Sequence, residues 1–403
     1  MTPTLSASAL AVPHSRIREL AEIAMGMDGV LKLYFGESNI PTPEFIKEAA
    51  RKAIADGFTY YTENAGLPST REAIAAHYER LHGVRLDPRN EIVVTASGVQ
   101  ALHVSIRCVL DPGDEAILLT PAWPNASAMT RMANARPVEI PHPLAGDRYV
   151  IDFDALEAAV TPRTRLLVYT SPSNPLGWAA TEAEQQGLLE FARRHGLWLL
   201  ADEVYERLYY RGPRPGDAVP SILRKATRDD AVIVAHSFSK SYCMTGWRLG
   251  WVVARQDLAA RASQLNEFIV SHAPSFVQKA GETALRDGED FVHDMVARYK
   301  QNRDLCVDAL NHMPGLTVPR PDGAFYLFPK VEDCPDSFGL GRQILEQTRV
   351  GLAPGVAFGN GGEGSLRICY ASERHILEEA MARLGSFFAA RAEGRTYQIA
   401  VTR

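Results

Sequence analysis

The chain has 403 residues, 46% hydrophobic and 23% charged, an ordinary globular composition long enough for two cores. Its net charge of −5 excludes partners chosen by positive charge, namely nucleic acid and anionic membrane surfaces. No apolar stretch approaches the ~20 residues of a membrane span, and the five scattered cysteines form no Cys-x-x-Cys pair, so neither a membrane anchor nor a metal site is expected. The run Ala7 to Val12 is too short for a leader, and unpaired thiols suit a reducing compartment, so the expected location is cytoplasmic.

In chain order, residues 14–26 read as a short helix ending near Gly26, and Pro41 and Pro43 introduce a helix over 44–56. From residue 91 onward, apolar runs alternate with helical periods. Ile92-Val93-Val94 leads to a helix over 99–110, and Ala116-Ile117-Leu118-Leu119 leads to a loop at Trp123. Leu166-Leu167-Val168-Tyr169 leads through a turn containing Asn174 to a helix over 182–195. Leu197-Trp198-Leu199-Leu200-Ala201 ends at Asp202-Glu203, and Ala231-Val232-Ile233-Val234-Ala235 runs towards Lys240. This alternation predicts an α/β fold whose large domain holds a mostly parallel, helix-covered sheet. A long amphipathic helix over 289–311 follows, broken at Pro314-Gly315, and the remainder reads as a smaller α+β C-terminal domain.

Several of these positions suit chemistry, each beside a plainer reading. A lysine at a strand exit is usually just solvated. Lys240, however, follows the hydroxyls of Ser237 and Ser239 and precedes Arg248. Such a set suits an amine that bonds a phosphorylated aldehyde as a Schiff base while Ser237 and Arg248 hold the phosphate. Asp202 closes a strand where open α/β sheets bind ligands; its plain reading is a helix N-cap. Ser97-Gly98-Val99 opens a helix whose amides suit a phosphate, and Trp123 suits either a core or a stack on a ring. Gly359-Asn360-Gly361-Gly362-Glu363-Gly364 matches a dinucleotide string, but a strand-like segment follows instead of the required helix, so a dehydrogenase is set aside.

The string Ser237-Phe238-Ser239-Lys240, followed by Met244-Thr245-Gly246-Trp247-Arg248-Leu249-Gly250, resembles the lysine signature of pyridoxal-phosphate enzymes of fold type I. More specifically it is similar to the class I/II aminotransferases, and further motifs extend the resemblance over about residues 14–385. The resemblance implies pyridoxal 5'-phosphate as cofactor, on Lys240. Asp202, in Asp202-Glu203-Val204-Tyr205, would face the pyridine nitrogen, with Tyr205 and Asn174 on the ring hydroxyl. Ser97, Gly98 and Val99 would form the phosphate cup with Ser237, Ser239 and Arg248, and Trp123 would stack on the ring. Leu176 stands where the family's turn has threonine, which removes a hydroxyl contact there. Arg367, in Arg367-Ile368-Cys369-Tyr370, would clamp the substrate α-carboxylate near Gly36; its plain reading is an exposed strand arginine. Tyr61 would reach the phosphate of a partner subunit, which implies a homodimer with shared active sites. The family's domain pattern then gives an N-terminal arm, 1–43, a large cofactor domain, 44–289, and a small domain, 290–403.

The function so implied is transfer of the amino group of an L-α-amino acid to a 2-oxo acid. A carbon–sulfur lyase, or another eliminating enzyme on the same fold, uses the same cofactor residues and stays open as the alternative. A sensor domain of a transcription regulator would need a DNA-binding module before the fold, and some 13 residues precede the first expected helix. A scaffold without activity is disfavoured because Lys240, Asp202 and Arg367 are all present. Val99 stands where some dicarboxylate-preferring relatives carry lysine, which predicts a neutral or aromatic amino donor unless Arg261 or Arg286 supplies the cation.

Overall fold

A computed structural model describes residues 4–397. The outer ends of the expected first and third segments, 1–3 and 398–403, lie outside the described residues.

A seven-stranded sheet forms the centre, in the order Ile92–Thr95, Gly250–Ala254, Val232–Ser237, Trp198–Asp202, Thr164–Thr170, Glu115–Thr120, Arg136–Pro141. Every pair is parallel except those of Gly250–Ala254, which runs antiparallel to both neighbours. The continuous apolar runs have a physical reason, since both faces are covered. Ile233 and Ala235 pack with Leu102 and Val104 of the helix Gly98–Val109. Val232 and Val234 point to the opposite face, into the core that holds Leu199, Ala201 and Trp251. Pro137 and Pro141, which lack an amide to donate, sit in the edge strand Arg136–Pro141.

The helices expected over 44–56, 99–110, 182–195 and 289–311 are Glu44–Ala55, Gly98–Val109, Glu182–His195 and Glu289–Asn311. Glu182–His195 shows why its limits are legible. Thr181 and Glu184 form a capping box, and Gly196 ends the helix in the left-handed region at φ 64°. The strand Gly250–Ala254 and the helices Pro68–His82, Gln256–Ile269, Ser275–Asp287 and Arg374–Ala392 were not anticipated. A small sheet of Tyr326–Leu327, Leu366–Cys369 and Ala353–Pro354 lies in the C-terminal part, and Leu31–Lys32 pairs there with Val350–Gly351. None of the described helices is long and apolar enough to cross a membrane.

The register places the functional strand ends together. Thr170 pairs with Asp202, Asp202 with Ala235, and Ser237 with Gly250. Gly250 is required where it stands: a Cβ there would come within 2.6 Å of Gly98 N and His236 O. The antiparallel strand therefore passes directly under the start of the Gly98–Val109 helix.

Candidate active site

A cavity of about 220 Å³ opens at the carboxyl edge of the sheet. Lys240, Asp202 and Tyr205 line it, with Asn174 and Trp123 beside them. At one end lie Gly98, Val99, Ser237, Ser239 and Arg248, and Gly36 closes the site from the N-terminal segment. These residues come from separate strand ends and loops, and the sheet register gathers them.

The lysine leaves the Val232–Ser237 strand on a short helix, Phe238–Ser241. Its Nζ donates to Gly36 O at 2.5 Å and lies 5.9 Å from the centre of the Tyr205 ring. Burial lowers its pKa to about 8, because the charged form loses its water. An amine so shifted is closer to the neutral state that a nucleophile or base requires.

Asp202 is half-buried at the cavity floor, and a turn, not a helix, follows it, so the N-cap reading fails. Val204 N donates to its Oδ1 at 3.2 Å. Burial pushes its pKa up to about 6. Among the described residues no cation pairs with this carboxylate, which lies at the floor of a polar cavity. Tyr205 OH lies 2.8 Å from Tyr326 OH, and burial holds the Tyr205 hydroxyl well above its ordinary pKa, so it stays a protonated donor.

At the other end, Ser97 caps the Gly98–Val109 helix, its Oγ accepting from Gln100 N at 3.1 Å. Ser97 holds φ 126°, a costly conformation for a side-chain-bearing residue, which turns the chain sharply into the helix. Ser237 Oγ donates to Ser239 Oγ at 3.0 Å, and the exposed Arg248 bonds only Thr245 O among the described residues. Hydroxyls, helix amides and a guanidinium converge there, the donor set of an anion site.

Arg367 is fully buried, contrary to the plain reading of an exposed strand arginine. Nη1 donates to Asn174 Oδ1 at 3.0 Å, and Nη2 donates to Tyr34 O. Its Nε is buried without a partner among the described residues, and the guanidinium carbon lies 4.5 Å from the centre of the Tyr326 ring and 5.9 Å from that of Trp123. A buried guanidinium with a spare donor suits an anionic group of a ligand. Trp123 is 37% exposed at the cavity, so it is not a core tryptophan. Neither Arg261 nor Arg286 lines the cavity of its own chain. Arg261 bonds Gln264 and Arg286 bonds Asp287.

Tyr61 is not brought into this cavity. It is 91% exposed, with its ring edge-on to His272 at 5.7 Å. Asn125 and Tyr326 are among the lining residues that escaped sequence reasoning. Asn125 lines the cavity two residues past Trp123, and Tyr326 packs against Gly36 so closely that a Cβ there would meet its hydroxyl at 2.1 Å. Tyr326 carries no local signal, because only the fold brings it to Tyr205.

The sequence profile described as aminotransferase class I and II matches residues 29–384. An aspartate aminotransferase of Pyrococcus horikoshii is 35% identical over 93% of this chain and 95% of its own. An aromatic-amino-acid aminotransferase 2 of Thermococcus litoralis is 34% identical over 93% of this chain and 95% of its own. Among solved structures, an alanine aminotransferase from Pyrococcus furiosus superposes with a TM-score of 0.89 at 29% identity, covering 96% of this chain and all of that one (100%).

Proposed function

This chain belongs to the class I and II aminotransferases, enzymes that use pyridoxal 5'-phosphate, and from that premise we propose that the Lys240 cavity holds this cofactor. The single observation that supports the reading most is the joint placement of a buried amine, Lys240, an unpaired carboxylate, Asp202, and the anion site at Ser237 on one cavity. The donor set fits the group at both ends: an anion site for the phosphate, and a raised carboxylate for a protonated ring nitrogen. When bound, the cofactor supplies a conjugated ring that accepts the electron pair left on the substrate Cα.

The chain's own residues do the rest. Arg367 orients the α-carboxylate through its planar fork, and its spare Nε gains an acceptor. Lys240 removes the Cα proton, a transfer for which a pKa near 8 is well placed. Tyr205 and Asn174 would hold the ring hydroxyl, and Trp123 would cover the ring. The aromatic and apolar walls limit water around the reacting carbon. The net outcome is amino-group transfer from an amino acid to a 2-oxo acid.

A product assay tests this. Purified enzyme given cofactor, 2-oxoglutarate or pyruvate, and aspartate, phenylalanine, alanine or methionine yields a new 2-oxo acid and the aminated acceptor. Ammonia and pyruvate from a β-substituted donor, without aminated acceptor, would instead mean elimination. The relatives' names span aspartate, aromatic and alanine donors, so the side chain must be argued from this site. Val99 is 44% exposed at the cavity and offers no charge there. The expected order puts phenylalanine, alanine or methionine above aspartate. A charge left unpaired costs a few kcal/mol, so a cation would be needed for aspartate to lead by ~100-fold in kcat/KM. Such a lead would refute the Val99 argument.

Arg367→Lys keeps the charge and loses the fork. KM is expected to rise roughly 100-fold for every donor alike, with kcat changed far less. A loss confined to acidic donors would place Arg367 on the substrate side chain instead.

We propose further that the enzyme is a homodimer, with the large and small domains divided near residues 44 and 290. Tyr60, Tyr61 and Phe268 are 81%, 91% and 85% exposed. They lie on neighbouring segments, since Asn266 Nδ2 donates to Asn64 O at 2.8 Å. An exposed aromatic set of this kind suits burial by a second copy, which would carry Tyr61 towards the other cavity. Sedimentation at assay concentration is expected to give a dimer, and a fully active monomer refutes it.

A further inference from the structure

Behind the sheet, on the face opposite the cavity, one buried carboxylate is ringed by three imidazoles. Glu206 is fully buried. His77 Nε2 and His236 Nε2 each lie 3.0 Å from its Oε2, and His82 Nε2 contacts Oε1. His77 and His82 come from the Pro68–His82 helix, and His236 comes from the strand that ends at Ser237.

Geometry sets the state of His236. Ser237 N donates to His236 Nδ1 at 2.8 Å, so that nitrogen is an acceptor and the ring proton sits on Nε2, aimed at Glu206. Burial lowers the His77 pKa. Burial also opposes charge on His82, but the Glu206 carboxylate outweighs it and the His82 pKa is raised. The His236 ring cannot turn freely, because it stacks on Trp251 at 4.1 Å and 7°.

Side chains alternate across a strand, so His236 faces away from the cavity while Ser237 faces it. The link between them is the Ser237 amide. We propose that His236 is a positioning residue for the cofactor phosphate: held by Glu206 and Trp251, its Nδ1 fixes the Ser237 amide, and with it the turn that presents Ser237, Ser239 and Lys240. The inference rests on the reading of the cavity as the pyridoxal 5'-phosphate site. The turn is short and leaves little slack. Ser239 N bonds Ser237 Oγ at 3.1 Å, and Ser237 Oγ lies 3.3 Å from Leu249 O.

Two substitutions separate positioning from mere stability. In His236→Asn, the amide oxygen replaces Nδ1 and keeps the acceptor for Ser237 N. In His236→Gln, the longer amide replaces Nε2 and keeps the donor for Glu206. Apoprotein is titrated with pyridoxal 5'-phosphate and with pyridoxal, which lacks the phosphate, and thermal unfolding is recorded beside each. His236→Gln is expected to raise Kd for the phosphorylated cofactor roughly 10-fold, the scale of one hydrogen bond, and Kd for pyridoxal less than about twofold. His236→Asn is expected to stay within about threefold of wild type for both. Equal losses for the two ligands, or a tighter His236→Gln than His236→Asn, would overturn the inference while leaving the cavity assignment intact. Wild-type apoprotein that binds no pyridoxal 5'-phosphate would overturn both.

Discussion

Lys240→Ala is expected to lower turnover by roughly 10,000-fold or more, because on the proposed reading one side chain would serve as both covalent anchor and proton carrier. The structure gives reasons to expect this of Lys240 in particular. Its Nζ sits within the cavity, its charge is disfavoured by burial, and Arg248 and Arg367 place further positive charge nearby. Borohydride reduction of the wild-type enzyme is expected to fix a pyridoxyl group on Lys240, found by peptide mapping. The Ala variant is expected to bind cofactor more weakly and without a covalent bond. Its apoprotein is expected to unfold near the wild-type temperature, since the Lys240 amine bonds a backbone carbonyl, Gly36 O, and no carboxylate among the described residues. A pyridoxyl group on another lysine, or turnover within 100-fold of wild type, would sink the assignment.

Much of this site was legible because strands end where ligands bind. Asp202 closes an apolar run and Lys240 follows another, and those runs are buried on both faces, so their strand character was unambiguous. Strand order was not legible. Gly250–Ala254 is another apolar run, but nothing local says that it inserts antiparallel between Ile92–Thr95 and Val232–Ser237. Arg367 shows the limit of periodicity. Its strand alternates in sequence, yet all four residues Leu366–Cys369 are buried, with strands on either edge and the N-terminal segment reaching it at Leu33 and Tyr34. Tyr326 and the imidazoles around Glu206 come together from distant segments, and a single sequence carries no local mark of such contacts.

Asp202→Asn is expected to have the second large effect, and it is opposite in sign for activity and for stability. On the proposed reading, the carboxylate would keep the ring nitrogen of the bound cofactor protonated, and the neutral amide would not. The reacting carbon then loses much of its electron sink, so kcat is expected to fall by roughly 1,000-fold with KM changed little. In the apoprotein, the same carboxylate is a liability. Burial raises its pKa from 3.8 to about 6, so the folded state binds the proton more tightly than the unfolded state. That contribution to stability is whole below pH 3.8 and is lost as the pH rises through about 6. Above that window the folded apoprotein carries a half-buried charge with no ion-pair partner among the described residues, at a cost of about 2–3 kcal/mol. Asn has no charge to bury. Urea unfolding of the two apoproteins is therefore expected to show Asp202→Asn gaining on wild type between pH 4 and about 7. Glu203, raised by burial to about 7, titrates in both proteins and cancels in the comparison. Adding pyridoxal 5'-phosphate is expected to reverse the order at pH 7.5, because only the carboxylate gains a cationic partner. A stability difference that stays flat with pH, together with near-normal turnover, would return Asp202 to a structural role.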